Sequence, residues 1–274
     1  MESNVIPQRV PVYGDFGHWV HVSDSPRHVR VFFGGETVAD SKRVKLVREA
    51  EILPVYYFPE EDVRTDLFVP SEQKSRCPVK GEASYRSIIV GARRADNAAW
   101  SYLEPLPEAA SIAGHIAFEW DKMDKWMEEE EEIFKHPRDP FKRVDVLPSR
   151  RHVRVVVDGE TLADTRRPHL LFETNHPVRY YIPPEDVRMD LLSPSATQSR
   201  CPYKGLASYW SIKIGGRIFE DMVWGYMEPI PECPKIKGQL AFFHERGADI
   251  YVDGEKIPVP RTKWAGDRKT QHGK

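Results

Sequence analysis

The chain repeats itself in register at an offset of 124 residues: Ser75-Arg76-Cys77-Pro78-Val79-Lys80-Gly81 returns as Ser199-Arg200-Cys201-Pro202-Tyr203-Lys204-Gly205. Trp100, Tyr102, Glu104 and Pro105 return as Trp224, Tyr226, Glu228 and Pro229, and the correspondence runs without a gap from Arg27/Arg151 to Phe118/Phe242. That period is far longer than the roughly 20 to 50 residues of a solenoid unit, so the duplicated element is a whole domain. Within 274 residues, each copy is large enough to build its own hydrophobic core. Two cores are therefore expected, packed on one another.

Local patterning assigns each copy to the mainly β class. In the second copy, His152 to Val157 leads through Asp158-Gly159 into Glu160 to Ala163. An Asp-Gly pair suits the positive φ angles of a tight hairpin turn, and Gly34-Gly35 can serve the same turn in the first copy. Val29, Val31 and Phe33 alternate with His28, Arg30 and Phe32, the pattern of a strand with one buried face. Short β-rich runs follow at Val44 to Val47, Val55 to Phe58, Ser84 to Val90, Ala98 to Leu103 and His115 to Trp120, separated by prolines that interrupt helices. The expectation is two compact domains of antiparallel sheets, at residues 1–120 with an N-terminal extension and at 141–266.

Between them, Met123, Trp126, Met127 and Phe134 recur near helical spacing beside the acidic run Glu128 to Glu132. This predicts a short acidic helical connector over 121–140 that lays its apolar side on a domain, or docks a partner with its glutamates. A flexible tail is expected at 267–274.

The formal charge of −2 offers no electrostatic footprint for a nucleic-acid backbone. The opening stretch MESNVIPQRVPVYGDFGHWV lacks the basic segment and apolar run of a secretory signal, and no stretch approaches the roughly 18 apolar residues of a membrane span. Cys77, Cys201 and Cys233 are a poor basis for a disulfide framework. These features read as a soluble cytoplasmic protein with a small-molecule ligand, no membrane and no nucleic-acid partner.

The repeated Cys-Pro-Xaa-Lys-Gly is the first candidate for chemistry. A thiol and an amine three residues apart across a proline turn can lie close together, and a neighbouring ammonium, aided by Arg76 or Arg200, favours thiolate. Cys77 with Lys80, and Cys201 with Lys204, are thus candidate catalytic groups. The alternative is a small buried cysteine, a turn-shaping proline and a solvated lysine. Zinc fails on ligand count, since each copy offers one equivalent cysteine and one matching histidine, His28 or His152.

A second constellation is aromatic and polar: Glu49, Tyr57, Tyr85, Trp100 and Tyr102, answered by Glu173, Tyr181, Tyr209, Trp224 and Tyr226. Flat apolar faces with hydrogen-bonding tips suit a pocket for a planar ligand, or else form the core of a small β domain. Trp and Tyr of the Trp-Xaa-Tyr pair share a strand face and can enter one cavity. Third, Glu-Asp-Val-Arg occurs at Glu61 to Arg64 and Glu185 to Arg188. Arg64 and Arg188 either fix the fold through Asp66 and Asp190 or project into the pocket as forked donors for an anion. Ser71 and Ser195 show no base or orienting acid, and no glycine-rich nucleotide-binding signature or other cofactor motif is present.

Taken together, Tyr-Xaa-Pro-Xaa-Glu-Asp-Val at Tyr57 to Val63 and Tyr181 to Val187, Cys-Pro-Xaa-Lys-Gly-Xaa-Ala-Xaa-Tyr at Cys77 to Tyr85 and Cys201 to Tyr209, and Trp-Xaa-Tyr-Xaa-Glu-Pro resemble the domain of unknown function numbered 427. That family is sometimes labelled nucleotidyltransferase-like. The resemblance implies two β-tent domains, similar in architecture to methionine sulfoxide reductase type B and the ligand-binding domain of cereblon. Those relatives often carry a zinc on paired cysteines that this chain lacks. It implies no established activity, and no closely spaced aspartate pair here matches a metal-dependent nucleotidyl-transfer site. The second copy follows the motif more closely, with Tyr203 and Trp210 where the first has Val79 and Arg86. The second pocket is therefore expected to be the better preserved.

Three functions stay open at this level. Each domain holds a cleft for a small planar or anionic metabolite; or the chain is an enzyme using Cys201, with Cys77 as a second candidate, as a cation-activated nucleophile or redox group, redox chemistry also needing a resolving thiol; or the duplication presents two interaction surfaces without catalysis.

Overall fold

In a computed structural model of the chain, residues 19–50, 52–260 and 262 are described; the N-terminal extension before Trp19 and the tail at 267–274 lie outside them. The chain divides after Asp139 into two compact units. Both are mainly β, and among the described residues helical structure is confined to 3-10 turns of three to six residues.

The first unit runs β1 (Val20–Asp24), β2 (Val29–Phe33), β3 (Glu36–Ser41), β4 (Lys45–Glu49), β5 (Ile52–Pro59), β6 (Phe68–Cys77), β7 (Gly81–Val90), β8 (Arg93–Tyr102), β9 (His115–Phe118), β10 (Lys125–Glu128) and β11 (Glu131–Ile133). An antiparallel seven-stranded sheet, ordered β1-β4-β5-β9-β8-β7-β6, stands with a four-stranded sheet ordered β11-β10-β2-β3. Val29, Val31, Phe33, Tyr56, Phe58, Ile88, Phe118 and Trp126 form the main core. A smaller apolar cluster holds Val47, Tyr57, Ala83, Tyr102, Ile112 and Ala117. Tyr56 and Tyr57 separate into these two clusters because successive side chains of a strand point to opposite faces.

The second unit repeats these strands in the same order, though its larger sheet is divided in two: β12 (Val144–Pro148), β13 (Val153–Val157), β14 (Glu160–Thr165), β15 (His169–Glu173), β16 (Arg179–Tyr181), β17 (Leu192–Cys201), β18 (Gly205–Ile214), β19 (Arg217–Gly225), β20 (Leu240–Phe242), β21 (Asp249–Val252) and β22 (Glu255–Lys256). Most irregularities recur, the shift at Val47/Glu49 between β4 and β5 having no counterpart between β15 and β16. Register shifts lie at Val31/Phe32 and Val155/Val156, at Pro70/Lys74 and Pro194/Gln198, and at Arg86/Ile88 and Trp210/Ile212. Bulges of this kind re-aim strands, so their repetition places equivalent side chains equivalently in both units.

The expected hairpins form as read. Asp158 and Gly159 have φ of 52° and 83°, and Gly34 and Gly35 have 64° and 88°, the positive pair that a two-residue turn of this hand requires.

The helical connector does not form. Residues 125–133 are instead the hairpin β10–β11, which extends the four-stranded sheet of the first unit by pairing Trp126 with Val31. Strand pairing satisfies the backbone of both β10 and β2 while placing Trp126 in the core, stacked on Trp120 at 4.3 Å between ring centres. Glu128, first of the acidic run, is drawn inward to accept hydrogen bonds from the Tyr56 hydroxyl at 2.8 Å and from Arg27. Glu129 makes the turn at φ 50°, where the second unit has Asp253-Gly254 at 54° and 91°. No helix among the described residues is long and apolar enough to cross a membrane.

Candidate functional site

Cys-Pro-Xaa-Lys-Gly is the tip of the β6–β7 hairpin, and of β17–β18 in the second unit. Cys77 pairs with Gly81 and Cys201 with Gly205 across the turn. Gly81 and Gly205 sit at φ 98° and 105°, and a Cβ on either would lie 3.3 Å from the carbonyl oxygen of Glu104 or Glu228. Glycine there is demanded twice, by backbone conformation and by close approach.

The turn drives its lysine inward. Lys80 and Lys204 are each only 8% exposed, and each ammonium bonds a buried carboxylate, Lys80 to Glu49 and Lys204 to Glu173 at 2.5 Å. Each pair ties a hairpin tip to the end of the fourth strand of its unit, β4 or β15. Burial alone would oppose the charge on both partners. In the second unit the attraction wins: Lys204, with Lys142 and His176 nearby, holds Glu173 down to about 2, and Glu173 in turn raises the Lys204 pKa. Lys142 donates to Glu173 at 2.9 Å and lies 5.1 Å from the Tyr203 ring centre.

The cysteines meet these pairs from the side. Cys77 Sγ donates to Glu49 Oε1 at 3.2 Å, and Lys204 interacts with Cys201 as well as with Glu173. Cysteine and lysine are thus close, as their spacing suggests, but the ammonium is shared with a carboxylate that offsets its positive field. Cys77, Cys201 and Cys233 are free thiols. Cys233 is buried, which pushes its pKa up to about 11.

The aromatic constellation converges on the same pairs. Trp100 Nε1 donates to the Tyr57 hydroxyl at 3.1 Å, and Trp224 Nε1 to the Tyr181 hydroxyl at 3.3 Å. The Tyr85 hydroxyl bonds Ser75 Oγ at 3.1 Å, and Tyr209 bonds Ser199 at 2.7 Å. In the first unit Glu49, Tyr57, Lys80, Tyr85, Trp100 and Tyr102 line one cavity of about 280 Å³, completed by Val47, Ile52, Leu53, Val55 and Glu119. Trp100 is half-buried there, and Ile52 and Leu53 are each 51% exposed at its margin.

In the second unit other side chains stand at the same place. Phe243 stands where the first unit has Glu119, lies 4.3 Å from the Trp224 ring centre and stacks near-parallel on Tyr209 at 6.4 Å. Arg179, at the position of Val55, extends over Trp224 at 5.4 Å and donates to Glu245. His176 and buried Pro177 replace Ile52 and Leu53. Tyr181, Trp224, Tyr226, Cys233 and Phe243 form a buried apolar cluster, with Cys201 and Tyr209 against it. The residues that differ between the copies here, Phe243 for Glu119 and Arg179 for Val55, lie outside the motifs on which the expectation for the second pocket rested.

Arg64 and Arg188 do not join this group. Arg64 donates twice to Asp66 at 2.8 Å, Arg188 pairs likewise with Asp190, and neither side of the cavity in the first unit includes Arg64. Asp62 and Asp186 complete a fold-fixing turn, accepting from Ser41 and Arg43 and from Thr165 and Arg167. His28 and His152 are bound to Asp40 and Asp164. Among the described residues no group of three or more His, Cys, Asp or Glu side chains could hold a metal ion.

Fold and site together define a tandem pair of mainly β domains, each anchored by a buried Lys–Glu pair beneath an aromatic wall. The chain belongs to the family described as domain of unknown function (DUF427), whose pattern matches residues 21–129 and again 145–254. No curated protein matches the chain.

Proposed function

We propose that the first domain is a small-molecule binding module whose ligand is planar, and that the second domain carries the same scaffold with its site filled from within. The observation that supports this is the contrast at equivalent positions: one set of aromatic side chains borders 280 Å³ of space, while its counterpart is packed by Phe243. A cavity with predominantly apolar walls and few convergent polar groups is the usual form of a small-ligand site, and this volume suits a ligand of one or two rings. Tyr85 and Trp100, tilted 32° to one another with centres 6.1 Å apart, offer ring faces for stacking.

The test is saturation-transfer NMR of the full chain against small planar heteroaromatics, with Glu119→Phe as the comparison. Binding to the unaltered chain that is lost in the variant supports the reading. Binding that survives in the variant, or none to the unaltered chain, overturns it.

A further inference from the structure

The cavity's chemistry narrows the kind of planar ligand, an inference that rests on the binding reading above. An anion is poorly provided for. Among the described lining residues Lys80 is the one cationic group, and its ammonium is already bonded to Glu49. Arg64, the forked donor that the sequence offered, is occupied by Asp66 away from the lining.

Two carboxylates against one ammonium leave the lining with a net negative charge. Glu119 makes no ion pair among the described residues, and it borders the cavity beside half-buried Trp100. A carboxylate next to exposed ring faces is the pairing that recognises an organic cation, through charge on one side and the ring quadrupole on the other.

The second domain carries an internal example. There the space is crossed by the chain's own cation: the Arg179 guanidinium lies over Trp224, the counterpart of Trp100, and its charge is met by Glu245. Arg179 holds the position of Val55, which in the first domain is a lining residue. A second cation, Lys80, already rests 5.6 Å from the ring centre of Tyr102 on the first domain's wall. The wall therefore accommodates cations in both copies, and among the described residues the first copy borders its cavity with both a ring face and a carboxylate, Trp100 and Glu119.

We infer that the first domain's cavity takes a small planar organic cation, of the aryl-guanidinium or aryl-ammonium class, held between the Trp100 and Tyr85 rings and the Glu119 carboxylate. Three probes of similar shape separate charge from planarity: phenylguanidinium, neutral phenylurea and anionic benzoate, titrated calorimetrically into the full chain and into Glu119→Gln. Phenylguanidinium should bind at least about tenfold more tightly than phenylurea, and Glu119→Gln should erase that preference while leaving phenylurea unchanged. Equal binding of the three, or preference for benzoate, overturns the cation inference and leaves the planar-ligand reading standing. Binding of none of the three overturns both. Should the variant fold poorly, the order of the three probes on the unaltered chain decides by itself.

Discussion

Phe243 packs 4.3 Å from Trp224 between ring centres, and at the equivalent place in the first domain Glu119 borders an open cavity beside Trp100. This position, following the ninth strand of the repeat, is one of three lining positions, with Val55/Arg179 and Ile52/His176, at which the copies differ in kind. The Lys–Glu pair and the Trp-to-Tyr hydrogen bond beneath it are common to both copies. The duplication preserves a scaffold and changes the side chains around it.

Exchanging that residue should exchange the properties. Phe243→Ala removes a buried ring and is expected to lower the stability of the second domain by about 3 kcal/mol. It should also make Trp224 accessible to acrylamide quenching. A variant that loses no stability and gains no quenching would show that Phe243 is not what closes the second site.

The buried ion pair should be costly to break from either side. Lys204→Met leaves Glu173 with Lys142 and His176 but without its closest partner, and a loss of about 3 kcal/mol is expected from chemical denaturation. If the change proves neutral, the pair is not an anchor of the hairpin tip.

Acid should act through the same group. Burial opposes Glu173 ionisation, but the surrounding cations hold its pKa down to about 2 against an ordinary value of 4.5. Its contribution is therefore fully present above about pH 4.5 and lost as pH falls toward 2, on the order of 2–3 kcal/mol. Lys204, raised by its partner, contributes fully below its ordinary value of 10.5, so that part fades only in strong base. Denaturant titrations between pH 6 and 2 should show a shallower acid loss for Glu173→Gln. The same slope in both proteins would assign acid sensitivity to other carboxylates.

Gly205→Ala and Gly81→Ala should each cost about 1–3 kcal/mol, since alanine at φ near 100° is strained and its Cβ meets a carbonyl oxygen at 3.3 Å. Thermal unfolding measures this. An unchanged midpoint would mean that the hairpin tip adjusts freely.

Much of this architecture is legible in the sequence because its signals are local. Asp158-Gly159 specifies a turn through its own dihedral angles, and the 124-residue offset survives in the order of the strands and in three of their register shifts. The convergence of Glu49, Tyr57, Tyr85, Trp100 and Tyr102 is also visible, since repeated aromatic and charged residues on alternating strands share faces. The β10–β11 hairpin is not legible in the first copy. Glu129 takes the left-handed turn conformation without glycine, and Met123, Trp126 and Met127 mimic a helical stripe. Extending the comparison past Phe242 to Asp253-Gly254 exposes the turn. The state of each pocket is hidden for a different reason: it depends on Glu119 against Phe243, Val55 against Arg179 and Ile52 against His176, single exchanges outside the shared motifs. Tyr203 and Trp210, which made the second copy resemble the family more closely, are not among these exchanges. Tyr203 faces Lys142 and Trp210 packs on the main core.

The most direct test of the account follows the two equivalent tryptophans at once. In the chain labelled with 5-fluorotryptophan, with Trp100 and Trp224 assigned by Trp100→Phe and Trp224→Phe, phenylguanidinium and phenylurea are titrated and the fluorine resonances recorded. The account predicts that the Trp100 resonance shifts and saturates, that Trp224 stays in place, and that Glu119→Phe abolishes the Trp100 response. A shift at Trp224 with Trp100 unmoved, or a Trp100 response that persists in Glu119→Phe, would contradict it.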